Sequence, residues 1–424
     1  MRRKILVSAP VLTRSGYGEH GRFVLRSLRS REDLFDIYVI PTNWGETGWI
    51  TNDDEERRWI DKKIKDTSFF SQQGGKFDVS IQVTIPNEWR QLAPINIGVT
   101  AGIETTRVSP HWLEKAKEVD RIIVVSEHSK NTFKDTIYES PHNNGVDPEY
   151  NVQLFCARPI DVVHYPVKKF EKLPEIDIDL DCDFNYLVVA QHGPRKNLEN
   201  TIRWFIEENI DHKVGLVVKT FIKNTSVTDR THTKAMITKI VNNYPDRECK
   251  VHLLHGDLTD AEMHALYAHP HIKCLVSLTH GEGFGLPLFE AAYSGMPIIA
   301  PGWSGHCDFL YAPLKGSKKK KKGKHPYFAE VEYSLGPVQE EAVWDGVVQR
   351  DSMWCYPQEG SYKMRLRQVR KNHDKWKKKA GTLQKWIIKN FKEEDMMEKF
   401  AKIAYGSEFP AIESPIEIDL VEHD

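Results

Sequence analysis

Two carboxylates stand eight residues apart in Gly281-Glu282-Gly283-Phe284-Gly285-Leu286-Pro287-Leu288-Phe289-Glu290, on either side of a Gly-Phe-Gly turn. The apolar run before them, Cys274-Leu-Val-Ser-Leu278, reads as a buried strand, and Pro287 to Ser294 reads as a helix. Proline suits the first helical turn, where its missing N–H is not needed. The glycines let the backbone approach a ligand closely. A helix N-terminus presents free N–H groups and a partial positive charge. Glu282 then falls in the loop before the helix, and Glu290 about one turn inside it. The N–H groups suit a phosphate, and the carboxylates suit sugar or ribose hydroxyls.

The same stretch carries a specific likeness. Glu282-x7-Glu290 with its internal Gly-Phe-Gly-Leu-Pro, followed by Ala-Ala-Tyr-Ser-Gly-Met-Pro-Ile-Ile, resembles the donor-sugar motif of glycosyltransferase family 4. The resemblance covers about residues 3 to 405, and among family members it is strongest to those encoded by large tailed bacteriophages. It implies a GT-B fold, a nucleoside-diphosphate-sugar as co-substrate, retention of anomeric configuration, and no metal or other cofactor.

The resemblance also implies roles. Glu282 hydrogen-bonds the donor sugar and Glu290 the ribose hydroxyls. Gly283, Phe284, Gly285 and Leu286 offer backbone N–H groups to phosphate or sugar. Gln191-His-Gly-Pro-Arg-Lys-Asn-Leu198 matches the turn whose cations hold the pyrophosphate, with Lys196 as the family lysine. Gln191 stands where the family arginine is usual, so a second cation is left to Arg195 or Lys219. A departing diphosphate gains negative charge, which fixed cations stabilise. Ser15-Gly16-Tyr17-Gly18 matches the first-domain glycine loop near the phosphates. His255-Gly-Asp-Leu258 matches a loop that contacts the nucleobase, without separating UDP from GDP or ADP. Glu104 and Arg107 match a first-domain segment facing the acceptor or the donor sugar, and Glu104 joins Glu282 and Lys196 as a catalytic candidate. Ser126 or Lys130 is a candidate phosphate contact, and Ser126 equally a helix N-cap. His164 reads as structural, near the hinge. Replacing Glu282 by glutamine is expected to abolish turnover with a modest change in folding. Two other functions share these motifs: a nucleotide-sugar epimerase of GT-B plan, and a binding module without catalysis.

These residues need elements to hold them. Lys4–Pro10 reads as a strand, followed by a glycine-rich turn and a helix from about Arg22 to Leu28. Further strands are expected at Phe35–Val39, Val79–Val83, Asn96–Thr100, Arg121–Val125 and Val162–Pro166. After a polar, acidic stretch from Lys168 to Asp183, a second series is expected: strands Tyr186–Ala190, Val214–Lys219, Lys250–Leu254, Ile272–Leu278 and Met296–Ala300. Helices fall between them at Leu198–Glu208, Thr233–Asn243 and Thr259–Ala268, the last opening on a capping-box pattern. Such alternation implies mostly parallel sheets. The expected organisation is an α/β chain with a Rossmann-like acceptor-side domain at 1–170, a linker at 171–183, and a nucleotide-sugar domain at 184–393. A crossing helix and acidic tail at 394–424 would complete it. Helices are also expected at Tyr362–Lys379 and Thr382–Tyr405, the crossing role of the latter from Glu394 on being implied by the resemblance.

Composition bounds the rest. The 424 residues are 40% hydrophobic and 28% charged, with a net charge of −1. No apolar run reaches membrane-spanning length, and the N-terminus lacks the apolar stretch of a signal peptide. Six cysteines without C-x-x-C spacing suit free thiols in a reducing cytoplasm, that of the host if the chain is phage-encoded. Asp177-Ile-Asp-Leu-Asp-Cys-Asp183 alternates carboxylates, but lacks the glycine and glutamate of a calcium loop and reads as polar linker. From Tyr311 to Lys402 there are 22 Lys/Arg against 12 Asp/Glu, with seven lysines in Lys315–Lys324. This surplus suits an anionic acceptor, either DNA or a lipid-linked glycan.

Overall fold

The structure is a computed structural model describing residues 2–141, 151–314, 323–407 and 409–410. Two six-stranded parallel sheets organise it. The first contains β1 (Arg3–Ala9), β2 (Phe35–Pro41), β3 (Val79–Val83), β4 (Ile95–Thr100), β5 (Arg121–Val124) and β6 (Ile160–Val162), in the order β2-β1-β3-β4-β5-β6. The second contains β7 (Asn185–Gln191), β8 (Gly215–Phe221), β9 (Lys250–Leu254), β10 (Ile272–Val276), β11 (Ile298–Pro301) and β12 (Ala329–Val331), in the order β9-β8-β7-β10-β11-β12. Both orders reverse beside their first strand, as in doubly wound sheets that bind ligands at strand carboxyl ends. Strands such as Val79-Ser-Ile-Gln-Val83 are buried throughout because helices cover both faces.

In the first half the helices are α1 (Gly16–Arg29), α2 (Glu55–Gln72), α3 (Pro110–Lys115) and α4 (Glu127–Asp135). In the second they are α5 (Leu198–Glu208), α6 (Val227–Val241), α7 (Asp260–Ala268), α8 (Leu286–Tyr293), α9 (Cys307–Leu310), α10 (Glu359–Lys371) and α11 (His373–Asn390). The capping box at α7 is present: Thr259 accepts from the Glu262 N–H, and the Glu262 carboxylate accepts from the Thr259 N–H.

Several boundaries differ from expectation. The Gly16-Tyr17-Gly18 turn is the first turn of α1, because Ser15 caps the helix there, its hydroxyl accepting from the Gly18 N–H at 2.9 Å. The strand expected at Val162–Pro166 is β6, Ile160–Val162; beyond it the chain crosses to the second half. The long basic segments divide at Asn372 and at Phe391–Lys392 rather than between Lys379 and Thr382. Lys392 is extended (φ −66°, ψ 144°) and starts α12 (Glu393–Tyr405).

That extended residue marks the return crossing. Phe391 is buried in the second core, and its carbonyl accepts from the Val167 N–H of the outgoing crossing at 2.8 Å. The chain then enters α12, whose Met396, Phe400, Ala401 and Ala404 join the first core against Phe23. The C-terminal helix therefore returns to the first half. In 177–183 the carboxylates point to solvent while Ile178 and Leu180 pack on the second core. Of the expected basic loop, 315–322 lies outside the described residues, as does the acidic tail from 411 on. No helix among the described residues is long and apolar enough to cross a membrane.

Candidate active site

A cleft of about 620 Å³ opens between the carboxyl ends of the two sheets. Ser15 and Gly16 line it from the first half. Gln191, Lys219, Leu286 and Glu290 line it from the second, and Lys168 enters from the crossing.

Gly285 sits at the N-cap of α8 with φ +93°, a conformation that favours glycine. No side chain caps this end, so the first N–H groups face outward with the positive end of the helix. The Phe284 side chain goes the other way, into an aromatic cluster with Phe289, Phe309 and Tyr165. That cluster fixes the height at which the turn meets the cleft.

Glu282 is buried beside the cleft and held on every side. Its N–H donates to Ser304 Oγ at 2.9 Å, and its carbonyl accepts from Gly305 N at 2.9 Å. Its carboxylate takes Lys196 Nζ at 2.5 Å and Arg195 at 3.0 Å. Arg195 also donates to the Gly281 carbonyl at 2.7 Å and lies 3.6 Å from the Glu104 carboxylate of the first half. Burial alone would raise the Glu282 carboxyl, but the Lys196 and Arg195 cations outweigh it and hold it down at about 2. Burial and Arg195 hold the Lys196 ammonium below its ordinary value, against the pull of Glu282. The three catalytic candidates thus gather in one cluster with Arg195, two cations against two carboxylates. Glu282 carries structural weight that its position in a loop did not suggest: both backbone groups and both carboxylate oxygens are engaged.

Two glycines let the halves meet here. A Cβ on Gly281 would run into the Glu104 carbonyl oxygen, and one on Gly283 into that of Ala101. Both obstacles belong to the first-half loop after β4.

Glu290 is half-buried at the cleft wall and accepts from the Tyr267 hydroxyl at 3.0 Å. Burial first, with Asp260 and Glu19 adding to it, raises its carboxyl to about 7 despite the nearby Lys168 ammonium. Lys168 binds Glu19 at 2.9 Å and Asp260 at 2.7 Å, tying α1 to the start of α7. Lys219 donates to the Gly256 carbonyl at 2.6 Å, at the far wall.

Other candidates are placed differently. Tyr17 lies beneath the cleft, bonded to Thr100 Oγ1 at 2.7 Å and stacked on Trp44. Gly18 is wedged against the Thr13 carbonyl. Arg107 is engaged by Asp351 at 2.6 Å and stacks over Tyr138, away from Glu104's ion pair. Ser126 caps α4, accepting from the Ser129 N–H at 3.1 Å. His164 packs on Phe284 and bonds Asp308 at 2.9 Å. Asp308 also accepts from the Glu127 N–H at 2.8 Å, so the second half supplies a partner to the first N–H of α4. The sequence reading missed Lys168, Ser304 and Asp308. Lys168 does stand at the predicted crossing, a place where both halves meet, but the other two carry no local signal.

The sequence matches no family model and no curated protein. Solved structures do match. Sucrose-phosphate synthase of Thermosynechococcus elongatus aligns with a TM-score of 0.59 and 13% identity, over 95% of this chain and 98% of that one. Anabaena Alr3699/HepE, solved with UDP and glucose, gives 0.56 and 12% over 94% and 98%. A glycosyltransferase from Rickettsia africae ESF-5 gives 0.54 and 12% over 95% and 98%. At such identity the likeness is one of fold, and together with the two parallel sheets it establishes that this chain has the GT-B architecture.

Proposed function

We propose that the protein is a retaining glycosyltransferase that moves a sugar from a nucleoside diphosphate to an acceptor hydroxyl. The observation that carries this reading is the Glu282–Lys196–Arg195–Glu104 cluster, assembled from both halves beside the uncapped N-terminus of α8. Neighbouring folds include one solved with UDP and glucose, which supports a nucleotide-sugar donor.

On this reading the nucleotide lies in the cleft, its ribose hydroxyls at Glu290 and its diphosphate between Lys219, Gly16 and the N–H groups from Gly283 to Leu286. Glu282 bonds the donor sugar. As the bond from the anomeric carbon to the diphosphate oxygen breaks, Lys196 and Arg195 stabilise the charge that collects there. The acceptor oxygen bonds the same carbon from the same face, and its proton passes to the departing diphosphate. Configuration is retained and the chain supplies no nucleophile. Glu104, opposite Arg195, orients the acceptor or the donor sugar on this reading. The basic C-terminal third supports an anionic acceptor, with hydroxymethylated DNA and a lipid-linked surface glycan as its two forms.

The test is incubation of the pure protein with UDP-, GDP- and ADP-sugars, with and without each acceptor, read by NMR at the anomeric carbon. Acceptor-dependent transfer with retention is expected. Conversion of the donor without acceptor would assign the site to an epimerase. Donor binding with neither reaction would leave a binding module.

A further inference from the structure

Helix α11 runs His373-Asp-Lys-Trp-Lys-Lys-Lys-Ala-Gly-Thr-Leu-Gln-Lys-Trp-Ile-Ile-Lys-Asn390 and holds six lysines against one carboxylate. Its Ala380, Leu383 and Ile387 are buried, packed in part against α8. Lys375, Lys378, Lys385 and Lys389 are exposed and recur at intervals of three, seven and four residues, with Thr382 filling the gap. That spacing puts them on one helical face, in a row about 21 Å long. Exposed Lys371, the last residue of α10, and Lys392, the extended residue before α12, flank the row.

The row is not the usual mixed surface. Around α2, by contrast, surface arginines are paired: Arg57 with Asp61, Arg58 with Asp53 and Arg29 with Glu55. Among the described residues none of the row lysines, and neither flanking lysine, has an ion-pair partner within 4 Å. Asp374 and Glu394 stand at the two ends of the row, and between them the neighbours add to its charge. Lys379 is held below its ordinary value by burial and by the Lys375 and Arg365 cations, and Lys377 by burial and by Lys273. Like charges crowded in this way raise the local potential and favour a bound anion.

We infer that this lysine row is a docking track for a phosphodiester polymer, namely double-stranded nucleic acid. A duplex presents one charge per about 1.7 Å of its axis, so a 21 Å row of single lysines can follow one phosphate edge and release its counterions. The row is one residue wide on a convex helix whose apolar face is already buried. The large apolar side chain exposed on it is Ile388, 42% accessible. A bilayer surface needs several apolar anchors or a broad basic plane, and one isoleucine beside a single-file row supplies neither. This inference deepens the acceptor side of the proposed function, yet its test reads binding and not transfer, so the two fail separately.

The experiment is fluorescence anisotropy of a 30-base-pair DNA duplex with the full chain, from 50 to 200 mM salt, beside the double variant Lys378→Gln/Lys385→Gln. Vesicles containing phosphatidylserine form a second arm. Loss of two phosphate contacts should weaken DNA binding about 60-fold at 0.1 M salt and flatten the log–log salt slope by about 1.8. Melting temperature and nucleotide-sugar binding should not change. Equal DNA affinity for the two proteins overturns the inference, as does an absence of DNA binding by the parent chain. Vesicle binding that the variant loses, without DNA binding, reassigns the row to a membrane and also overturns it.

Discussion

Replacing Glu282 by glutamine tests whether the cluster at the cleft is held by charge. The substitution keeps size and one acceptor oxygen but removes the counter-ion of Lys196 and Arg195, both within 3.0 Å of the carboxylate. The carboxyl lies at about 2 against an ordinary 4.5. That difference corresponds to about 3 kcal/mol favouring the ionised form in the folded state, in line with the cost of breaking a buried pair. Unfolding entropy near 2.1 cal/mol/K per residue gives about 0.9 kcal/mol/K for the 424 residues. The melting temperature at pH 7 should then fall by roughly 3–4 °C if the chain unfolds as one unit, and by roughly 7–8 °C if a half of about 200 residues unfolds alone.

The pH dependence separates this cause from a packing defect. A depressed carboxyl contributes stability that is complete above its unfolded value of 4.5 and is lost as pH falls through about 2. At pH 3 the difference between parent and variant should shrink to about 1 kcal/mol. Scanning calorimetry at pH 7, 5 and 3 measures it. A melting temperature within 1 °C of the parent at pH 7 would refute the electrostatic account. So would a deficit of the same size at pH 3, which would point to lost packing.

Glu290 carries the opposite sign. Its carboxyl is raised to about 7, so its ionisation lowers stability as pH rises from 4.5 through 7; Glu290→Gln should gain up to about 3 kcal/mol at pH 8, little at pH 4, and weaken donor binding about 10- to 100-fold by calorimetric titration. Gly283→Ala should force the Ala101 loop away from the α8 turn, raising the radius of gyration in small-angle scattering and abolishing transfer while the circular dichroism stays unchanged. Asp308→Ala removes a partner of the first α4 N–H worth about 1 kcal/mol, and hydrogen exchange at the Glu127 amide should accelerate several-fold; an unchanged rate would mean that this contact between the halves is not made in solution.

The sequence was most legible where one local rule dominated. Val79–Val83 and Lys250–Leu254 are short apolar or alternating runs bounded by polar residues, and Thr259 with Glu262 announces α7 by its cap alone. α2 escaped because it buries only Ile60 and Thr67, leaving almost no apolar stripe to find. β12, three residues long, gives too short a pattern. The start of α1 was misjudged because glycine signals a turn, while Ser15 makes the same residues a helix N-terminus. In the site, each motif was readable but not the contacts between motifs. Lys196 and Glu282 are 86 residues apart and Arg195 and Glu104 lie on different halves. Their pairing depends on how closely two sheets approach, which Gly281 and Gly283 permit without encoding the partner.

That pairing bears on how the site would work as a transferase. Without a donor, Lys196 already has a counter-ion in Glu282, and the four-residue cluster sums to no net charge. A diphosphate arriving beside it offers a stronger anion to the same lysine and arginine. The more Lys196 turns to the phosphate, the less it holds Glu282, whose carboxylate then has capacity for a sugar hydroxyl. Donor binding and placement of Glu282 would be two sides of one ionic exchange. Arg195 remains on Glu282 while Lys196 turns, so neither cation is left bare and the carboxylate keeps one partner in the buried cluster, which limits the cost of the exchange. Glu282→Gln breaks this symmetry. The variant should hold a free diphosphate at least as tightly as the parent while losing the sugar contact, so nucleoside diphosphate affinity and turnover should move in opposite directions.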